Sequence, residues 1–396
     1  MGWIDVSAFK QNRALLYLLI GRCLEAFGFG IALFLIVVLA YEQTGSVTYA
    51  GLAVSVYQVV MVVLQPPMGR VADRYGRKRL ILLGTAIHAV ATFLLGASTS
   101  IFILLALRAL QGLGASLEGP ASQALVADLV PYERRGSLMG QYSTMINLGW
   151  FVGPVVGGLI ADAFGTRAPF FICSVLVALS FFPIALYVKE PPRAATGRSN
   201  VSGPLTAKVR NVLLYLCLAY FLIQFSGSVM FPLIRVYMVK IEASDTEIGL
   251  VVAAFGLISA PLQAPFGRLS DRRGRKPLIT LGVFSTSLVA PWYGFATSFP
   301  QLLLIRSAHG VASAMSGPVV GALVADVTPR WQRARALGML STAQSLGMVV
   351  GPLVGGALAD LYGYQFPFLL CSGIMAVSAL IIHKGVREPS KEEREL

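Results

Sequence analysis

Along the chain, apolar runs near twenty residues long alternate with short polar breaks, and the alternation repeats twelve times. The runs cover roughly 14–40, 48–68, 80–98, 101–129, 137–161, 169–188, 211–239, 247–266, 278–297, 301–327, 336–359 and 366–384. A helix needs about 20 apolar residues to cross the ~30 Å hydrocarbon core of a bilayer, so each run predicts one spanning helix. Longer runs can tilt or protrude. The connections are short except for 189–210, KEPPRAATGRSNVSGPLTAKVR, whose Pro, Gly, Ser and basic residues predict a flexible linker.

Composition agrees with the pattern. Hydrophobic residues make up 56% of the chain and charged ones only 13%, against about 25% charged in an ordinary soluble domain. The four cysteines, Cys23, Cys173, Cys217 and Cys371, all fall inside apolar runs, where thiols act as small apolar groups. No cleavable signal peptide is evident at the N-terminus. No GxxxxGK[ST] stretch points to ATP hydrolysis, and no nucleophile–base set or metal-ligand cluster points to an enzyme. No cofactor is expected.

The net charge of +13 raises the question of nucleic acid. Placement answers it. With the N-terminus in the cytoplasm, the Lys and Arg residues fall in inner segments, apart from Arg167 and Lys240 outside and Arg22, Arg108, Arg235 and Arg306 within the membrane. This bias predicts a multi-pass protein of the cytoplasmic membrane with both termini inside. Its basic residues face lipid headgroups, and no nucleic acid is expected.

One inner segment, GRVADRYGRKRL at 69–80, reads as a cytoplasmic loop between the second and third helices; it packs five positive charges and one Asp into twelve residues, and it returns as GRLSDRRGRKPL at 267–278. Gly69 and Gly267 stand 198 residues apart, half the chain. The same separation aligns Arg108 with Arg306, Gly119-Pro120 with Gly317-Pro318, Asp128 with Asp326, Gly153-Pro154 with Gly351-Pro352 and Asp162 with Asp360. The chain therefore reads as two homologous six-helix halves, 1–190 and 211–396, joined by a linker at 191–210. An even number of helices per half makes them parallel repeats.

At these residues the chain resembles the major facilitator superfamily, and within it the twelve-helix drug:proton antiporter branch. The first segment fits the superfamily pattern G-x-L-x-D-R-x-G-R-K through Gly69, Asp73, Arg74, Gly76, Arg77 and Lys78, and the second half repeats it with Gly267, Asp271, Gly274, Arg275 and Lys276. In the fourth apolar run, Leu104, Arg108, Gln111, Gly112 and Gly114 resemble the pattern of proton-coupled members. In the fifth, Gly149, Gly153, Pro154, Gly157 and Gly158 resemble the antiporter pattern of drug exporters, echoed from Gly347 to Gly356. The resemblance implies an all-α membrane fold, with twelve transmembrane helices in two pseudo-symmetric six-helix bundles. It also implies alternating access, with the first and fourth helices lining the central cavity. A conformational switch is expected at Gly69, Asp73, Arg74, Gly76, Arg77, Asp271 and Arg275, and at Gly153, Pro154, Gly157, Gly351 and Pro352.

Ionisable residues inside a membrane are costly and mark function. Glu25 lies about eleven residues into the first run, ~17 Å at 1.5 Å per residue, near the bilayer midplane. Opposite helix directions place Glu25 toward Arg108 and Glu118 toward Arg22. Arg22, Glu25, Arg108 and Glu118 are therefore the expected proton-coupling residues. Glu25, Arg108, Gln111, Asn147, Gln224, Arg306 and His309 are expected in the substrate cavity. Arg235 is expected to snorkel outward, and His88 to be a packed histidine. A carboxylate raised in pKa by burial and lowered by an Arg is tunable for proton exchange. The expected activity is proton-coupled efflux of small lipophilic compounds by a monomer. A sugar or metabolite transporter, a lipid flippase and a non-transporting membrane sensor are the alternatives.

Overall fold

The computed structural model describes residues 12–130, 135–190, 207–328 and 332–386. Most of the expected linker and both chain ends lie outside these residues. The described residues are helical, with no strand among them. Helices α1 (Arg13–Leu33) and α2 (Leu35–Thr44) run on through Phe34 as one 32-residue span. There follow α3 (Val47–Tyr75), α4 (Arg77–Ala97), α5 (Ile101–Leu129), α6 (Arg135–Phe164) and α7 (Ala168–Tyr187). The second series comprises α8 (Ala207–Lys240), α9 (Asp245–Arg273), α10 (Arg275–Val289), a 3₁₀ turn (Ala290–Gly294), α11 (Phe299–Val327), α12 (Arg333–Tyr362) and α13 (Gln365–Gly385).

Ten of these spans are long and apolar enough to cross a membrane; the two others are α10, cut short where the 3₁₀ turn begins beside Pro291, and α11. Large apolar side chains stand exposed on their flanks, among them Phe102, Phe164, Leu304 and Leu361. In water such a surface would be a liability; in lipid it is the solvated face. The protein is a multi-pass, membrane-embedded helical protein.

The basic segment expected as a loop is not one. Helix α3 continues through Asp73 to Tyr75, α4 begins at Arg77, and only Gly76 separates them. Gly76 sits at φ 103°, and Gly274 at φ 100° makes the same break between α9 and α10. Only glycine takes that conformation without strain, so a single residue turns the chain.

Two compact units emerge. One comprises residues 1–45, 56–195 and 244–253; the other comprises 46–55, 196–243 and 254–396. In the first, α1 packs on α6 and α7, and α4 on α5 and α7. Its core holds Leu15, Leu18, Ile81, Leu125, Ile184 and Val188. In the second, α8 packs on α12 and α13, and α10 on α11 and α13. Its core holds Leu213, Leu216, Ile279, Leu323, Ile382 and Val386. Each of these residues follows its counterpart by 198, so the sequence repeat is also a repeat of packing.

Small residues set the helix spacing. A Cβ at Gly153 would lie 2.7 Å from Gly30 of α1, and one at Gly351 would lie 2.6 Å from the Phe225 carbonyl of α8. Gly153 and Gly351 thus hold α6 and α12 in backbone contact with α1 and α8. Helix α4 meets α5 in the same way: a Cβ at Gly84 would fall 2.6 Å from the Gly114 carbonyl and 3.0 Å from Glu118 Cβ.

Candidate functional site

That last approach builds the site. Gly84 lies one turn before His88 and Gly114 one turn before Glu118, so closing α4 on α5 brings His88 against Glu118. Glu118 Oε1 lies 3.6 Å from His88 Nδ1, and Thr85 Oγ1 lies 3.4 Å from Glu118 Oε2. Helix α1 adds Arg22 and Glu25. Arg22 donates to Glu25 Oε2 at 2.5 Å and lies 3.5 Å from Glu118 Oε2; Glu25 Oε1 is 4.0 Å from His88 Nδ1. One guanidinium thus bridges two carboxylates, and an imidazole touches both from the other side. Glu25 and Glu118 are each only 3% exposed and His88 2%. Neither ring nitrogen of His88 has a hydrogen-bond partner among the described residues.

The expected pairing of Glu118 with Arg22 is present. Glu25, however, pairs with Arg22, three residues away on its own helix, and not with Arg108. The guanidinium of Arg108 donates to Gln111 Oε1 at 2.6 Å and lies 4.5 Å over the Tyr57 ring. Gln111 Nε2 in turn donates to Thr92 Oγ1 at 2.7 Å, and Thr92 Oγ1 to the His88 carbonyl at 2.7 Å. This chain ties Arg108 to the backbone that carries His88.

The cluster opens on a cavity of about 500 Å³ lined by Arg22, Glu25, His88 and Glu118, with Phe29, Tyr57, Met61, Tyr142, Asn147 and Trp150 among the other walls. Phe29 is the hub of the aromatic wall, with ring centroids 5.1 Å from His88, 5.9 Å from Tyr57 and 4.8 Å from Trp150. Asn147 is part of the cavity lining. Arg108 and Gln111, each 1% exposed, are not in its lining and stand one layer behind. Glu25, His88 and Glu118 offer ligand atoms within 4.8 Å of one another. Arg22 already supplies the positive charge there, which suits the cluster to exchanging a proton rather than holding a metal ion.

The other expected cavity residues, Gln224, Arg306 and His309, belong to the second unit. Gln224 is half-buried beside Gly347. Arg306 lies 4.5 Å over Phe255, and the Tyr293 hydroxyl meets His309 Nδ1 at 3.1 Å. Arg235 does not snorkel: it is 2% exposed, donates to the Phe231 carbonyl and lies over the Phe231 ring.

At the glycine breaks, Arg77 bonds Asp128, donates to the Ala124 carbonyl at 2.9 Å and lies 3.4 Å from Asp73; its backbone N–H donates to Glu190 at 2.5 Å. Arg275 repeats the arrangement with Asp326 at 2.6 Å and Asp271 at 3.6 Å. Asp73 is the outlying member, its side chain 68% exposed. Gly69 lies within α3 and Arg74 in its last turn. At the opposite helix ends, Asp162 accepts from the backbone N–H groups of Asp245 and Thr246, capping α9. Asp360 accepts from those of Val47 and Thr48, capping α3.

Sequence reasoning reads His88 as a packed histidine, which at 2% exposure it is, but does not place it in the cluster, and it misses Tyr57 and Trp150. A lone histidine in an apolar run carries no local sign of its neighbours; the paired Gly84 and Gly114 were the available signal.

Comparison with known proteins follows the same lines. The Major Facilitator Superfamily profile matches residues 18–237 and, a second time, 216–396. The chain is 30% identical over 338 residues to the multi-drug resistance efflux pump PmrA of Streptococcus pneumoniae, covering 84% of each protein. It is 28% identical over 347 residues to the multidrug resistance protein MdtG of Escherichia coli, covering 86% of this chain and 85% of MdtG. The crystal structure of a bacterial homologue of the human lysosomal transporter Spinster superposes with a TM-score of 0.79 at 17% identity, covering 97% and 98% of the two chains. The protein is a membrane transporter, not an enzyme, and the chain belongs to the Major Facilitator Superfamily.

Proposed function

We propose that the protein is a secondary active exporter of small lipophilic compounds, of the multidrug type, driven by inward proton movement. The observation that carries this reading is the buried Arg22–Glu25–His88–Glu118 cluster opening on a cavity walled by aromatic and sulfur-bearing side chains. Phe29, Tyr57, Met61 and Trp150 offer a polarisable, shape-tolerant surface for an apolar ligand. Glu25 and Glu118 supply the deep negative charge that a lipophilic cation requires. The relatives named as multidrug efflux pumps support the same reading.

The mechanism follows from the charges. With both carboxylates ionised, Arg22 and Arg108 balance Glu25 and Glu118. A cationic substrate entering the cavity displaces a proton from Glu25. On the opposite side of the cycle a proton returns, neutralises the carboxylate and weakens its hold on the cargo. His88 passes the proton between Glu25 and Glu118. Arg77 with Asp128, Arg275 with Asp326, and the close-packed Gly153, Pro154, Gly157, Gly351 and Pro352 are the joints of alternating access.

In this reading the halves 1–190 and 211–396 act as two six-helix bundles of a monomer in the cytoplasmic membrane, with both termini inside. The test is efflux from proteoliposomes of lipophilic cations, sugars and lipids under an imposed pH gradient. Gradient-driven movement of the cations, lost in Glu25→Gln while binding stays measurable, is the expected result. Full gradient-driven transport by Glu25→Gln would remove Glu25 as the carrier.

A further inference from the structure

The polar groups around the cavity of the first unit divide into those already satisfied and those left over. Arg22 and Thr85 both serve the Oε2 side of the acids. Arg22 Nη1 lies 2.5 Å from Glu25 Oε2 and 3.5 Å from Glu118 Oε2, and Thr85 Oγ1 lies 3.4 Å from Glu118 Oε2. The two Oε1 atoms face His88 Nδ1 at 4.0 and 3.6 Å, beyond hydrogen-bonding distance. His88 is 2% exposed, and both its ring nitrogens lack a partner among the described residues. One turn beyond Glu118 on α5, Ser122 is 1% exposed, and its Oγ lacks a partner as well. Ser116 and Ser143 turn their hydroxyls back to the Leu113 and Met139 carbonyls, at 2.7 and 3.0 Å. Ser122 has the same option within its helix and leaves it unused.

Glu25, His88, Glu118 and Ser122 all line the same cavity, and one oxygen of each acid lies within 4.8 Å of the other and of a His88 ring nitrogen. A carboxylate only accepts, a neutral imidazole has one accepting nitrogen, and a hydroxyl accepts as well as donates. The donors left over are Arg22 Nε and whichever His88 nitrogen carries the proton. Acceptors therefore outnumber donors in the lining, and they carry the negative charge. A buried polar group without a partner is costly, so the ligand that suits this wall donates more than once. A quaternary cation answers the charge and none of the acceptors. An amidinium or guanidinium answers both, because its N–H bonds spread in one plane toward several oxygens. Arg22 is the precedent within the chain: a guanidinium already spans the same two carboxylates at their Oε2 atoms.

We propose that the cavity selects aromatic cations bearing several N–H bonds, amidinium and guanidinium compounds foremost, over fully alkylated cations of the same charge, with Ser122 and His88 as the specificity-determining residues beside Glu25 and Glu118. The inference rests on the reading of this cavity as a cation site and narrows its cargo. The aromatic body lies against Phe29, Tyr57 and Trp150, and the N–H bonds reach the Oε1 atoms, the imidazole and the Ser122 hydroxyl.

The test uses the full chain in phosphatidylcholine nanodiscs, with no gradient. Calorimetry compares binding of the 2-naphthamidinium cation with that of its N,N,N′,N′-tetramethyl form, which keeps the ring and the charge and has no N–H bond. The wild type is expected to bind the N–H form about tenfold more tightly or better. Ser122→Ala is expected to weaken that binding about fivefold, the worth of one hydrogen bond, while tetramethyl binding stays within about twofold. His88→Phe, which keeps a ring against Phe29, is expected to shrink the preference in the same way. Equal binding of the two cations by the wild type overturns the selection, and this comparison needs no variant to fold. A preference that persists unchanged in both variants assigns it to size and overturns the roles of Ser122 and His88. Either of these results leaves cation efflux standing. Absence of binding by either cation, in a protein that still melts cooperatively, overturns the cation site itself and this inference with it.

Discussion

Arg22 is the residue on which the first unit's buried charge depends. It holds Glu25 at 2.5 Å and Glu118 at 3.5 Å, and without it two carboxylates would share a dry site. Removing one partner of a buried ion pair typically costs about 3–5 kcal/mol. Arg22→Gln is therefore expected to lower the thermal stability of the purified protein by that order, and the double variant Arg22→Gln/Glu25→Gln to recover much of it. Additive losses in this cycle would mean the pair is uncoupled. From sequence, Glu118 reads as the more hydrated of the two acids. Its burial equals that of Glu25, so Glu118→Gln is expected to impair gradient-driven efflux as severely as Glu25→Gln. Retention of more than half the wild-type rate by Glu118→Gln alone would restore the milder role. The four intramembrane charges of the first half were legible because a charge in an apolar run stands out. Which acid met which arginine was not, since side-chain reach within α1 outcompeted the contact expected between helices.

Among the elements, the junctions at Gly76 and Gly274 carry the clearest lesson. Charge density made GRVADRYGRKRL read as a loop, yet i→i+4 hydrogen bonding continues to Tyr75 because nothing before Gly76 opposes it. The Gly76 break orients Arg77 toward Asp128 and the Ala124 carbonyl, while Asp73 remains mostly in water. Asp128 is the less exposed acid, 42% against 68% for Asp73, and the more exposed pair contributes the less. Asp128→Asn is accordingly expected to slow transport more than Asp73→Asn, with membrane insertion unchanged in both; the reverse order would return the switch to Asp73. Gly76→Ala forces a side chain into a left-handed conformation at about 1–2 kcal/mol, and the Cβ would meet the Glu190 carboxylate at 2.7 Å. The aspartate caps belong to the same scale. Asp162→Ala and Asp360→Ala each uncap a helix N-terminus, and each is expected to cost about 1 kcal/mol in thermal melts, with matching losses because the two sites repeat each other.

Across the whole molecule, the repeat is the property most fully written in the sequence. A separation of 198 residues relates the cores, the glycine breaks, the aspartate caps and the arginine–ring contacts. The partition into compact units could not be read this way, because 46–55 and 244–253 are helix starts whose neighbours are chosen by backbone approach at Gly51 and Gly249. Each half nonetheless has its own buried core. Chains 1–190 and 211–396 expressed together are expected to recover transport that neither gives alone, measured as drug efflux from intact cells; no recovery at normal membrane levels would make the linker more than a tether.

The balanced quartet of Arg22, Arg108, Glu25 and Glu118 has an electrical consequence. A carrier that takes one proton inward on a single carboxylate and returns with one monovalent cation on the same carboxylate crosses the membrane with the same total charge in both directions. Such a cycle moves no current. A voltage of 100 mV, worth about 2.3 kcal/mol per elementary charge, then neither speeds nor slows it, and the acidity difference alone sets how far the cargo can be concentrated. Proteoliposomes clamped with potassium and valinomycin are expected to export a monovalent cation at one rate whatever the voltage, and a divalent one at a rate that follows it.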